Sequence, residues 1–307
     1  MMFGNWISLL LIAVLIVISA FSRKAFGRED GRQARDLSIT IHSSRWIKSK
    51  VPHKERDTST ACKMLKKPGS CLDIYNEDCR NPSGEYVLYQ KNQAIQVYCS
   101  FEKDTRDGTD YGYTFISRSS SGTTFNISSL YTNSKFAKIR ILESKKSTQK
   151  EVIVENFSKY SNVPLKFALN SNKGYQGPIS QNRRLRPYLF LGFLDIRRSR
   201  NKSLQGYKAA GRDFTFRNCD SNPNSYIGFY FNSNFGTWGY TGNNSFMKQW
   251  IAWSTVMQYP EHMDEKYYMD WEMHMGGCGG FQTSNTINTK AALGMPFALP
   301  AKRCNKH

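Results

Sequence analysis

Short runs of alternating apolar and polar residues recur along most of this chain. Turns rich in Asn, Ser and Gly separate them. The runs lie at 85–90, 94–101, 112–118, 136–142, 151–157, 164–169, 188–196, 212–216, 226–232 and 267–275. A period of two sends successive side chains to opposite faces of a strand, so each run predicts a strand with one face turned to a core. The polar clusters at 170–174, 218–225 and 232–245 read as loops. This succession predicts a sandwich or a twisted multi-strand sheet. One helix is expected over 246–257, where Phe246, Trp250 and Trp253 fall on one face. The fold class expected is mainly β, a β-rich α+β architecture of disulfide-stabilised antiparallel sheets or a sandwich, with one or two short helices. No internal repeat is visible.

The first apolar run is of another kind. Trp6 to Phe21 is a nearly continuous apolar segment of 16 residues. That is short for a membrane span, which needs about 20, and it suits the apolar region of a signal peptide. Small residues at Ala20 and Ser22 offer cleavage after Ala20 or Ser22. No Lys or Arg precedes the run and Arg23-Lys24 follow it, which leaves open an uncleaved single anchor through 6–21. Residues 1–22 are read as the signal peptide, with secretion to the extracellular matrix as the expected destination and no stable membrane association. Residues 23–67 hold 13 Lys/Arg against 5 Asp/Glu and little apolar periodicity. They read as a flexible basic stalk or propeptide over 23–61, with the ordered module starting near Cys62.

Seven cysteines stand at 62, 71, 79, 99, 219, 278 and 304. Behind a secretory leader they read as disulfides, with one left over. Cys71 and Cys99 bracket the turn Pro82-Ser83-Gly84 and two alternating runs, which is a hairpin closed by a covalent link. Cys219 with Cys278 is a second expected pair, and Cys62, Cys79 and Cys304 compete for a third. No tight Cys-x-x-Cys pair for zinc exists.

Formal net charge is +19. So large an excess draws polyanions. The leader sets nucleic acid aside and leaves sulfated or acidic polysaccharide and acidic matrix proteins as partners. The densest cluster flanks the run at 188–196: Arg183, Arg184 and Arg186 precede it, and Arg197, Arg198, Arg200 and Lys202 follow. A strand between two cationic ends places these clusters at opposite rims of a sheet, and the guanidinium fork suits sulfate and carboxylate. Lys145, Lys146 and Lys150 form a smaller patch.

The order of features from Cys71 to Arg118 resembles the start of the fibrinogen-like domain. The matching residues are Cys71, Asp73-Ile74, Gly84-Glu85-Tyr86, Val97-Tyr98-Cys99, Asp107-Gly108 and Gly112-Tyr113-Thr114. The closely spaced Asp residues of that family's calcium loop have no counterpart, so its acetyl-group lectin activity is not carried over. The second half is similar to the GON module of some large secreted metalloproteases. It shares Lys138-Ile139-Arg140-Ile141, a Cys219 before Tyr226-Ile227-Gly228-Phe229-Tyr230, and Gly277-Cys278-Gly279-Gly280. The combination resembles secreted proteins of the coral skeletal organic matrix, which would imply a place in biomineralization. The resemblances imply a fibrinogen-like subdomain at 62–118 and a GON-like β-rich region at 119–301, before a basic tail at 302–307.

No catalytic residues are expected, since the chain has no zinc-protease helix motif, nucleophile elbow or phosphate loop. Of five histidines, His262 and His274 are the two outside the stalk and the tail. The acidic patch Glu261, Asp264, Glu265, Asp270 and Glu272 includes an alternation that puts Asp270, Glu272 and His274 on one strand face. That face is expected to meet solvent over a buried Met and aromatic face, or to pair internally with the chain's arginines. No metal site and no cofactor is expected. Four N-glycosylation sequons stand at Asn126, Asn156, Asn201 and Asn243. The function expected is a structural or binding role in the extracellular matrix, not an enzyme. Two alternatives stay open, a fibrinogen-like recognition lectin and a secreted hydrolase.

Overall fold

The computed structural model describes residues 67–120, 123, 125–133, 135–169, 188–193, 204–217, 225–231, 246–275, 281–283 and 287–301. The leader and the basic stalk lie outside them. The described part opens with helix α1 (Cys71–Glu77), whose first turn is capped by the Ser70 side chain accepting the Asp73 N–H. Strands β1 (Gly84–Gln90), β2 (Gln93–Arg106) and β3 (Thr109–Ile116) follow as an antiparallel meander. Asp107 and Gly108, at φ 50° and 74°, form the two-residue turn from β2 to β3. Two left-handed residues there match the right-handed twist of the flanking strands.

Strands β4 (Phe136–Glu143), β5 (Thr148–Asn156), β6 (Lys166–Leu169), β7 (Tyr188–Gly192), β8 (Leu204–Ala209), β9 (Arg212–Arg217) and β10 (Ser225–Tyr230) come next. Helix α2 (Phe246–Trp253) is followed by β11 (Thr255–Val256), β12 (Asp270–Met275), β13 (Phe281–Thr283) and β14 (Thr289–Ala298). Among the described residues, these strands form two antiparallel sheets. The larger runs β1-β2-β3-β14-β4-β5-β8-β9, with β11 beside β5, and the smaller runs β13-β12-β10-β7-β6. The last strand, β14, lies between β3 and β4 and so joins the opening meander to the rest.

The expected mainly β fold of antiparallel sheets is what the chain adopts. One hydrophobic core takes Val97, Ile139, Val152 and Leu293 from the larger sheet and Leu191, Ile227, Trp271 and Met273 from the smaller. Met269, just before β12, and Ala291 in β14 exchange backbone hydrogen bonds of 2.8 Å. Helix α2 buries Trp250 against the rings of Tyr207 and Phe214, 5.7 and 6.3 Å away. A fully buried large apolar side chain contributes about 1.5–3 kcal/mol.

Three local expectations are corrected. Cys71 sits in α1 and not on a strand, so its bridge ties a helix to β2. The helix over 246–257 ends at Trp253, because Thr255 and Val256 leave it to pair with Glu151 and Lys150 on β5. The run at 267–275 becomes a strand only at Asp270; before it, Glu265–Tyr267 is a 3-10 turn capped by Asp264.

The outer face of the larger sheet carries a second core. Tyr98, Tyr113, Phe115, Phe136 and Leu142 pack there against Met263, Tyr267 and Tyr268 from the segment after β11. This cover is why β4 is buried on both faces, from Phe136 through Leu142. It also draws two cations, Lys138 and Arg140, out of water.

Candidate functional site

Cys71 and Cys99 are joined, with Cα atoms 5.6 Å apart, as expected. Gly84 stands opposite Cys99 in the β1–β2 register, so the bridge holds α1 against the first hairpin. Cys79 is also disulfide-bonded. Cys219 and Cys278 lie outside the described residues. So do Arg183, Arg184, Arg186, Arg197, Arg198 and Arg200. What the structure gives is the strand between the two arginine runs, β7. It lies inside the smaller sheet, paired with β6 and β10.

Two sequons fall on described residues and differ sharply. Asn126 is exposed, and its Oδ1 accepts the Ser128 N–H at 3.2 Å and the Ser128 hydroxyl at 2.6 Å. Asn156 is 1% exposed, and its Nδ2, the atom a glycan would occupy, donates to the Val163 carbonyl at 2.7 Å. Asn156 ends an apolar strand, and its burial and this bond work against a glycan there. Asn201 and Asn243 lie outside the described residues.

The face carrying Asp270, Glu272 and His274 is buried, where a solvent face was expected; their exposures are 8%, 3% and 6%. The register explains how a carboxyl is held there. Gly228 of β10 stands opposite Glu272 and leaves space above it, and Tyr226 and Tyr230 flank that space. Tyr230 donates its hydroxyl to Glu272 Oε1 at 2.5 Å, and Tyr226 does so at 3.4 Å. His274 Nε2 is 3.6 Å from the same oxygen, and the His274 ring stacks on Tyr226 at 4.3 Å. Burial pushes the Glu272 carboxyl up to about 7, against the two tyrosine hydrogen bonds that pull it down. Burial pushes His274 down to about 3, so its ring is neutral at physiological pH. His262 is structural in geometry, with its Nε2 3.1 Å from the Met257 carbonyl. Among the described residues, no group of three or more His, Cys, Asp or Glu is placed to hold a metal ion. Nor is any helix there long and apolar enough to cross a membrane.

A groove of about 560 Å³ opens on the outer face of the larger sheet, beside the second core. The end of β2 brings Glu102 and Asp104, β4 brings Lys138, β5 brings Glu151 and Glu155, and β8 brings Lys208. Trp253 at the end of α2 and Glu261 complete the rim. Charges here are interlocked. Lys138 Nζ lies 3.2 Å from Glu151 and 3.8 Å from Asp104, and 4.3 Å from the centre of the Tyr113 ring. Lys208 pairs with Glu155 at 3.1 Å and Arg106 with Asp104 at 3.2 Å. Arg140 is fully buried, over the Phe115 ring at 4.8 Å, with Glu102 and Glu151 oxygens each 3.5 Å away. None of its guanidinium nitrogens makes a hydrogen bond. Burial raises the Glu102 carboxyl above its ordinary range, Arg140 opposes that, and Glu261 adds to it.

Sequence reasoning did not find this groove. A signal was present in Lys138-Ile139-Arg140-Ile141, where two cations occupy one face of a strand whose neighbours are buried. Its acidic partners, Glu102 and Asp104 of β2 and Glu151 of β5, come from two other strands, which no local pattern connects. Charge is also distributed unevenly. The described residues carry 20 Lys/Arg against 17 Asp/Glu, so the scaffold is close to neutral and most of the excess of 19 belongs to the rest of the sequence. No family model, curated protein or solved structure matches the chain.

Proposed function

We propose that the protein is a secreted extracellular matrix or adhesion protein that binds sulfated or acidic polysaccharide and acidic matrix macromolecules, and that it is not an enzyme. The observation that carries this reading is the separation of charge. The β scaffold is nearly balanced in charge, while most of the surplus sits in the basic 23–66 stretch and in the runs on either side of β7. In sequence, Arg183, Arg184 and Arg186 precede this strand of five residues and Arg197, Arg198 and Arg200 follow it. So many cations in two short runs suit a polyanion better than a single small anion. The fibrinogen-like and GON-like resemblances and a place in a skeletal organic matrix belong to the same proposal.

Retention on a heparin column tests it. The wild type is expected to be retained at low salt and released before about 1 M, where the Debye length is about 3 Å. A variant with these six arginines changed to Ser is expected to elute at clearly lower salt. Equal elution of the two proteins removes the arginine runs as the site, and a wild type that is not retained at all overturns polyanion binding.

A further inference from the structure

We propose that the groove on the outer face of the larger sheet is a separate binding site for an uncharged saccharide. This goes beyond polyanion binding and does not rest on it. The volume of about 560 Å³ lies within the roughly 300–1,000 Å³ of small-ligand sites. Five carboxylates and four cations line it, so its charges nearly cancel. A balanced lining draws neither a polyanion nor a polycation by its field. It does offer charged acceptors and donors side by side, and hydrogen bonds to charged partners are the strong ones for a neutral hydroxyl.

Two carboxylates are open to such a partner. Glu102 has Arg140 as its ion-pair partner at 3.5 Å, without a hydrogen bond between them. Glu261 carries no ion pair among the described residues. Neighbouring hydroxyls of a sugar ring can donate to both. The same two carboxylates repel sulfate and carboxylate, which gives selectivity against the polyanions drawn elsewhere. Trp253 supplies the apolar element. It is 40% exposed at the rim, with the Arg212 guanidinium over its ring at 4.0 Å and the Phe214 ring 5.3 Å away. The indole edge left exposed can meet the C–H groups of a pyranose. Beneath the floor, Arg140 acts as a positioning residue. It is buried under two rings and fixes Glu102 and Glu151, and so the spacing of the acceptors.

Saturation-transfer NMR on the full chain tests the site, with cellotriose, maltotriose, chitotriose, mannotriose and a sulfated heparin tetrasaccharide as probes. Transfer to at least one neutral trisaccharide is expected. Thr255→Trp, at an exposed residue lining the groove, fills the space without touching the core, and Glu261→Ala removes one acceptor. Each is expected to weaken neutral-sugar binding by about tenfold or more, with the melting temperature and the heparin elution unchanged. If no neutral trisaccharide receives transfer, if only the sulfated probe does, or if Thr255→Trp leaves neutral binding intact, the proposal fails. Loss of heparin retention in the arginine variant with neutral binding preserved separates the two sites.

Discussion

Changing Glu272 to Gln should alter how stability depends on pH, by an amount that the buried cluster sets. The Glu272 carboxyl is raised from 4.5 to about 7 in the folded protein. Between those values the unfolded chain has lost the proton and the folded chain keeps it. Stability from this group is therefore full below about 4.5 and is lost as pH rises to about 7. At about 1.4 kcal/mol for each pH unit, the loss comes to about 3 kcal/mol. His274 is lowered from 6.5 to about 3, and its contribution runs the other way. The unfolded ring is protonated below 6.5 and the folded ring is not, so stability is gained as pH rises from about 3 to 6.5. In the wild type the two slopes oppose each other between about 4.5 and 6.5. Gln keeps an oxygen to accept from Tyr230 and Tyr226 and has no proton to lose, so the variant lacks the Glu272 slope. Urea unfolding of both proteins at half-unit steps from pH 4 to 8 gives the difference in stability, in which all other groups cancel. That difference should move in favour of Gln by about 3 kcal/mol between pH 4.5 and 7 and then stay level. A difference that is constant across this window would show that Glu272 ionises in the folded protein as it does in the unfolded one, and the reasoning from burial would be refuted.

Gly112→Ala should destabilise the fold, because an added Cβ would stand 2.6 Å from the Phe297 ring and 2.7 Å from the Ser100 carbonyl. Overpacking of this kind costs about 1–3 kcal/mol, readable as a lower urea midpoint; a neutral result would mean that β14 can shift away from β3. Glycopeptide mapping of protein from a secretory host should find Asn156 bare and Asn126 modified. Asn156→Ala should lower stability by about 1–3 kcal/mol, because the Val163 carbonyl loses its buried donor; a glycan on Asn156 of folded protein contradicts the described packing.

The strands were legible where one face of a run meets the core and the other does not. Strand β9 alternates in this way, with Phe214 and Phe216 buried between exposed neighbours, and it lies where the pattern put it. The turn from β2 to β3 at Asp107-Gly108 was not read as a turn, although its residue types favour the left-handed conformation they adopt. The pairing of Cys71 with Cys99 was legible because both flank one hairpin, although the helical setting of Cys71 was not. CLDIYNE is too short for a helical period to show, and its start is fixed by the Ser70 cap. Strand β12 misled in the opposite direction. Its alternation of Asp270, Glu272 and His274 with Trp271 and Met273 is the pattern of a half-exposed strand, and a period of two records polarity, not exposure. Two tyrosines two strand positions either side of the opposing glycine are what make a buried carboxyl tolerable there, and they come from β10, more than 40 residues away.

The same limit explains why net charge alone was a poor guide to sites. A value of +19 points to a uniformly cationic surface, yet the larger sheet devotes Lys138, Arg140, Arg106 and Lys208 to carboxylates of its own. Isolated surface pairs contribute little, about 0–1 kcal/mol. Arg140 differs, because removing this fully buried cation would leave Glu102 without its ion-pair partner beside the aromatic core and Glu151 with Lys138 alone. Cations held in this way are not available to a polyanion. The proposed polyanion site is assigned to the arginine runs beside β7 and to the basic stretch before residue 67, where most of the excess charge lies, while the outer groove, with its charges nearly matched, is left to a ligand that brings none.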